Sequence, residues 1–492
     1  MSISWLRNKT FVFLSCGIVF FIIRILFLTK LPIFNDESIY LRWGQAFHDN
    51  PYLWSFPILF DGKLPGLTML FGFLQWLPID PLVAGRLLSV MFSLVTWYVL
   101  LLFAKPYSEK IGGAIVLTIL YALCPLAFIF ERMALMESAV IMVHIVSAFL
   151  FFRLLEKPTI VRGALLGLLL AFGFWIKTIV LLTMLCVGVG MIYHIKRDKA
   201  AWMRYRPALM AIGGVFFLSI LPLFSQQAFW HMGEKSAWTL TLKDFLSFPI
   251  RYWWMNVVRL LFWSIEFLTP LYLIAAIIGI SIVRKTSRGI YMLIWAVIPL
   301  IVELFVAKIF TTRYMVLVVP FWVLFAFEGI ETYSGRLKKV ILALTIFFSG
   351  VTTLVLAGMP LLYYALIRAI PYAHEDFSQY VLSLSSGYGV TNAIHYIEKY
   401  EKEHGKTLVI VRSDSGNPED AVYLYLSRYG MRVVFNDEFI KNADTLIPMY
   451  APNILFVSRG DRYAEFGKYI YELVKFRKPL DDEFVGIYQL KL

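Results

Sequence analysis

Eleven apolar stretches, most of them near bilayer-crossing length, constrain this chain more than any other feature. A helical span takes roughly 20 apolar residues. Such stretches lie at 11–29, 86–104, 111–130, 137–153, 163–176, 178–195, 207–225, 263–283, 290–307, 314–330 and 338–358. The pair at 163–195 also reads as one long helix. Lys177 near its middle favours two short spans with a turn, because a lysine deep in the bilayer is costly. Of the 492 residues, 59% are hydrophobic and only 16% charged, whereas a soluble domain is about half apolar and a quarter charged. The expected architecture is therefore a polytopic α-helical membrane protein with about 11 transmembrane helices.

The net charge of +13 is not a nucleic-acid signal, because it is unevenly placed. Residues 372–492 hold 14 Lys/Arg against 17 Asp/Glu, and the first 371 hold 32 against 16. The excess sits in alternate short connections: Arg7/Lys9, Lys105/Lys110, Arg153/Lys157/Arg162, 196–206, 284–288 and Arg336/Lys338/Lys339. Basic loops remain in the cytoplasm. That rule puts the N-terminus inside and the C-terminal region outside, with residues 11–29 a retained span and not a cleaved signal. Cys16, Cys124 and Cys186 lie far apart in apolar runs and suggest neither disulfides nor a metal cluster.

Two outer connections are long, 32–85 and 226–262, and both carry aromatic, interface-seeking stretches. The transmembrane unit is read as 1–358, followed by a linker at 359–390 and a small extracytoplasmic α/β domain at 391–492. In that domain helix-like pieces (391–404, 418–428, 462–474) interleave with strand-like ones (407–411, 432–435, 453–458, 484–490). No Gly-rich phosphate fingerprint occurs there, so a supporting or acceptor-binding role is expected.

Candidate chemistry lies in the outer connections. Asp36 and Glu37, with Tyr40 one turn on, follow the first span. They fit either first-turn acids of a helix or a general base. Lys63, in "DGKLPG", is placed to meet a phosphate or anionic lipid as a point charge. Arg132 and Glu137, in "FERMALME", can face the cavity of Asp36 or form an ion pair. Arg313, in "TTRYMVLVVP", opens a span and suits bidentate phosphate recognition or interface anchoring. The seven histidines are scattered, and no hydrolase, Walker or zinc motif is present.

The order of these elements resembles the polyprenyl-phosphate-sugar-dependent glycosyltransferases of the GT-C fold, which include the protein O-mannosyltransferases and the lipid A aminoarabinose transferases. The resemblance covers roughly residues 10–330, and an outer C-terminal domain is also common in that group. It implies that Asp36 is the prime catalytic carboxylate, with Glu37 and Tyr40 completing a "DE…Y" pattern. Lys63 matches the lysine of a "KPP"-like motif at the lipid phosphate, here Lys-Leu-Pro. Arg132 and Glu137 match an Arg-plus-five-acid motif in which the acid is usually Asp. Arg313 and Tyr314, with Pro320, match a late "RY…P" element that contacts phosphate. Lys177 stands where relatives carry a "TKG"-like lysine.

On this resemblance the chain is a multi-pass enzyme of a bacterial or archaeal plasma membrane. It would move a sugar from a polyprenyl-phosphate donor to a hydroxyl of a lipid, glycan or protein acceptor. The catalytic residues would be Asp36, Glu137 and Glu37. Lys63 and Arg313 would bind donor phosphate, and Tyr40, Arg132, Tyr314 and Lys177 substrate. No cofactor is required, since a phosphate leaving group needs no general acid; a divalent ion such as Mg or Mn is left open. The rival is a transporter or flippase of lipid-linked sugars, which predicts paired repeats and ionisable residues near the bilayer midplane; neither stands out in this sequence.

Overall fold

The computed structural model describes residues 3–104, 111–198, 201–235, 238–460, 462, 467–480 and 482–491. The Lys105/Lys110 connection and Lys199 lie outside them. From the N-terminus, α1 (Ile3–Ile25) leads to three outer-loop helices, α2 (Asn35–Asp49), α3 (Phe56–Asp61) and α4 (Gly66–Leu74). Then come α5 (Pro81–Phe103), α6 (Ile111–Ala122), α7 (Pro125–Phe130), α8 (Glu137–Glu156), α9 (Ile160–Ile176), α10 (Val180–Arg197) and α11 (Ala201–Phe224). The second outer connection holds α12 (Gln227–Trp230) and α13 (Leu242–Leu246). It continues into α14 (Ile250–Leu268), which leads to α15 (Pro270–Val283). The membrane part ends with α16 (Ser287–Val306), α17 (Thr312–Met315), α18 (Val319–Glu331) and α19 (Gly335–Gly358).

Every predicted apolar stretch is helical. Among the described residues seven helical stretches are long and apolar enough to cross a membrane, one of them running through α17 and α18; three shorter apolar helices fill further stretches, and a bent pair fills the last. The molecule is a polytopic α-helical membrane protein. The 163–195 stretch is two helices, with Lys177 ending the first. Two predicted spans are interrupted. The 111–130 stretch breaks after Ala122, and Pro125 opens α7. The 263–283 stretch turns by 109° between α14 and α15, so residues 263–268 belong to the outer-loop helix. Thr269 sits at φ 62°, and Pro270 can offer no amide hydrogen to continue the ladder, though it suits the first turn of a new helix.

Helices α15 and α18 cross closely because each presents a glycine. A Cβ at Gly279 would collide with the carbonyl oxygen of Phe325, and one at Gly329 with that of Ala275. Small residues permit such backbone approach where lipid supplies no hydrophobic drive for helix association.

Residues 359–390, read as a linker, form α20 (Pro360–Ile367) and α21 (Ala373–Val381). Both pack into the protein, burying Tyr363, Tyr364, Phe377 and Tyr380. The α/β domain begins with α22 (Val390–His404), β1 (Leu408–Val411), α23 (Glu419–Arg428) and β2 (Arg432–Phe435). It continues through α24 (Asn436–Lys441), α25 (Ala443–Tyr450), β3 (Ile454–Arg459), β4 (Ile470–Arg477) and β5 (Phe484–Leu490). The sheet order is β2-β1-β3-β5-β4, with β2, β1 and β3 parallel and β5 and β4 antiparallel. The helix predicted at 462–474 is corrected: its described second half starts β4. Its aromatic and β-branched residues, among them Ile470, Tyr471 and Val474, suit a strand, and they pair with β5.

Gly279→Leu should destabilise the protein by more than about 3 kcal/mol, since overpacking here meets backbone and not a movable side chain. A large drop in thermal midpoint is expected, while a leucine at Gly213, with open space around it, should leave it within a degree or two.

Candidate functional site

The first outer helix is fixed before its active face is formed. Glu37 is fully buried and accepts four hydrogen bonds: from the Phe34 amide at 2.9 Å, the Ala134 amide at 2.7 Å, and Arg86 Nε and Nη2 at 2.8 and 2.6 Å. The bond to Phe34 is one half of a capping box. Arg86 also donates to the Leu28, Leu31 and Pro32 carbonyls. Adjacent residues on a helix point about 100° apart, so with Glu37 turned inward Asp36 faces a different side, into a cavity of about 350 Å³.

That cavity gathers charged and aromatic residues from four parts of the chain: Asp36 and Tyr40 of α2, Lys63 of the following loop, Lys177 between α9 and α10, and Arg313 and Tyr314 of α17. Trp238 and Gln379 line it as well. Gly62, at φ 63°, ends α3 in the left-handed region, a conformation glycine adopts freely. The chain reverses there and points Lys63 at the cavity. The Lys63 ammonium lies 5.0 Å from the Tyr40 ring centre and 2.8 Å from Asp61 Oδ2.

Two carboxylate–cation pairs organise the site. Arg313 Nη1 lies 2.5 Å from Asp36 Oδ2, and its Nε donates to the Tyr380 hydroxyl at 3.3 Å. Lys177 Nζ lies 2.9 Å from Glu137 Oε1; Glu137 stands just behind the cavity wall. Asp376, on α21, accepts from the Thr312 amide at 3.3 Å and from its hydroxyl, which fixes the short helix carrying Arg313. Burial opposes ionisation of Asp36, but Arg313 and Lys63 outweigh it and hold the carboxyl down to about 2. Burial also opposes the Lys63 charge, and Tyr40, Asp36 and Asp61 together raise its proton affinity. Burial pushes Asp376 up, against its bonds to Thr312.

Seven of the sequence candidates thus meet at or immediately behind one cavity. Two do not. Glu37 is saturated by Arg86 and backbone amides, and has no face toward the cavity. Arg132 lies behind the outer helix, with its guanidinium 4.1 Å from the Phe128 ring centre and a hydrogen bond to the Leu26 carbonyl. The tight "ERMALM" turn sends residues 132 and 137 to opposite sides, because it is not helical over its length. Tyr380 and Asp376 were missed: they come from the supposed linker, where "HEDFSQY" gives no sign of which membrane elements it packs against. Among the described residues no three His, Cys, Asp or Glu side chains gather as metal ligands. Asp36 in the cavity and Glu137 behind its wall are each paired with a cation.

By sequence, no protein-family profile and no curated protein matches the chain. By structure, it superposes on ArnT from Cupriavidus metallidurans in the apo state with a TM-score of 0.57, over 98% of both chains at 12% identity. ArnT bound to undecaprenyl phosphate gives the same TM-score, over 99% of this chain and 98% of that one at 11% identity. The chain has the GT-C fold. In this GT-C chain the cavity opens on the outer-loop side of the bundle, where α2, the turn before α10 and α17 converge.

Two tests follow from the geometry. Glu37→Ala should cost about 3–5 kcal/mol, the usual result of stranding one partner of a buried ion pair. The loss should appear in thermal stability, whereas Asp36→Asn should leave the fold intact. Because the Asp36 carboxyl is depressed, its pairing with Arg313 stabilises the fold fully above the ordinary carboxylate pKa of about 4. That contribution is lost only as pH falls through about 2. The free protein should therefore show no loss of this pairing between pH 7 and pH 5, and Lys63→Met should move the Asp36 titration upward, as read by carboxylate infrared bands.

Proposed function

We propose that this protein is an integral membrane glycosyltransferase that takes a sugar from a polyprenyl-phosphate donor. The observation that carries this reading is the Asp36–Arg313 pair, set at 2.5 Å in a cavity it shares with Lys63 and Lys177. It joins one base to several cations, which suits transfer to a hydroxyl with loss of a phosphate. The likeness to ArnT, which has been seen with undecaprenyl phosphate, supports a lipid phosphate as donor headgroup.

In the free protein Asp36 is a weak base, since Arg313 and Lys63 hold its proton affinity low. A donor phosphate engaging the same two cations would share their charge and restore basicity to Asp36. The carboxylate then accepts the proton of the acceptor hydroxyl. The hydroxyl oxygen attacks the anomeric carbon from the face opposite the phosphate and forms the new C–O bond with inversion. The bond from that carbon to the phosphate oxygen breaks, and its electron pair leaves with the lipid phosphate. Lys63 and Arg313 stabilise the charge that grows there. Glu137, held by Lys177, orients the acceptor, and Tyr40 and Tyr314 wall the sugar. The basic connections of the sequence favour the extracytoplasmic side of a cell membrane for the reaction, with a lipid, glycan or protein hydroxyl as acceptor.

The test is reconstitution in liposomes with radiolabelled polyprenyl-phosphate sugars. Asp36→Asn should lower turnover by roughly 10²–10⁴-fold, the span of general-base contributions, with donor binding retained. Arg313→Met and Lys63→Met should weaken donor binding and turnover together. Sugar that crosses the bilayer without becoming covalently attached would replace this reading with a flippase, and full activity in Asp36→Asn would remove Asp36 from the chemistry.

A further inference from the structure

Three arginines lie buried behind the outer helix, and only two have a counter-charge. Arg24 Nη2 pairs with Glu131 at 2.9 Å, and Arg86 pairs with Glu37 at 2.6 Å. Arg132 is 7% exposed, and among the described residues no carboxylate pairs with it. Its Nη2 donates to the Leu26 carbonyl, and its Nε has no hydrogen-bond partner. The Phe128 ring face at 4.1 Å gives some cation–π compensation. A ring and one carbonyl are a small return for a buried ion, whose desolvation ordinarily demands a full partner. Burial and the like charges of Arg86 and Arg24 push the Arg132 guanidinium down to about 9, so it remains cationic at neutral pH.

Arg132 and Arg86 border a small pocket of about 30 Å³, otherwise walled by groups such as Phe27, Leu31, Phe128 and Leu356. A water needs roughly 10–15 Å³ of such volume and two to four polar partners. The pocket has room for a small occupant of about that size. Its apolar walls leave a water short of partners, whereas a weakly hydrated anion needs only the cation.

We propose that the pocket between Arg132 and Arg86 binds a single halide-sized monovalent anion, of which chloride is the abundant form. The anion balances the one positive charge by which this cluster exceeds its two glutamates. It also touches the structure that matters most to the site, because Arg86 is the residue that holds Glu37 and so the start of α2. This assignment is independent of the transferase reading.

The experiment compares thermal unfolding of the purified full-length protein in sodium chloride, bromide and gluconate at equal ionic strength. Both halides should raise the midpoint by about 2 °C over gluconate, the scale expected when a ligand binds only the folded state. Arg132→Met should erase that difference, and Arg132→Lys should keep part of it. Equal midpoints in all three salts overturn the proposal, as does a halide effect that survives in Arg132→Met. A shift produced by inorganic phosphate but not by halide also overturns it, pointing to the Asp36 cavity instead. Should Arg132→Met fail to fold, bromide-soaked crystals of the unaltered protein decide. An anomalous peak beside Arg132 supports the site, and density for water alone removes it.

Discussion

The Glu37 carboxylate accepts from four donors supplied by three separate parts of the chain: the residue before α2, the turn before α8, and Arg86 of α5. Isolated buried charges are expensive, and this one is tolerable only because every lone-pair direction that matters is met at once. Arg86 in turn gathers three backbone carbonyls at the end of the first span, groups left without helical partners where α1 stops. The pair therefore closes the helix termini of α1, α2 and the α7–α8 turn against one another. Asp36 inherits its position from this, since it is the next residue on a helix whose rotation Glu37 has fixed.

With that rotation set, the free site resembles a trap held shut by its own charges. Asp36 and Glu137 each hold a cation, so neither acid is stranded and neither cation repels the other unopposed. On the proposed reading, an incoming donor phosphate would bring its anionic oxygens into the space where Arg313 and Lys63 already converge. Arg313 has further donors to share, because its Nε is spent only on Tyr380 at 3.3 Å. On that reading, exchange of one anionic partner for another would cost less than dehydrating an unpaired arginine, and would leave Asp36 more basic only while the donor is present.

The sequence carried the membrane fold plainly, because apolar length and loop charge are local properties. It pointed to Asp36 and Arg313 by their places at the outer ends of spans, to Lys63 by the outer loop that carries it, and to Lys177 by the turn between two short spans. Bends were less visible: Thr269–Pro270 marks a helix boundary, but nothing local says that the chain turns by 109° there. The same limit explains Glu37 and Arg132. Both sit in motifs of the right residue types, and only the three-dimensional turn at 132–137 and the rotation of α2 decide which way each points. Tyr380 and Asp376 were out of reach, since their partners are more than 60 residues away.

The C-terminal domain gains a role from the same geometry. Its α23 lies against α2: Arg42 pairs with Asp420 at 3.3 Å and Gln45 donates to Ser427 at 3.0 Å. The Asn417 amide donates to Asn35 Oδ1 at 2.9 Å, one residue from Asp36, and its side chain donates to the Ile33 carbonyl at 2.8 Å. Glu37 pins the inner side of α2 to α5, and the α/β domain closes its outer side. Between those two constraints α2 cannot roll, and rolling is the motion that would carry Asp36 out of reach of Arg313. The domain thus packs on the first outer helix from the side opposite Glu37.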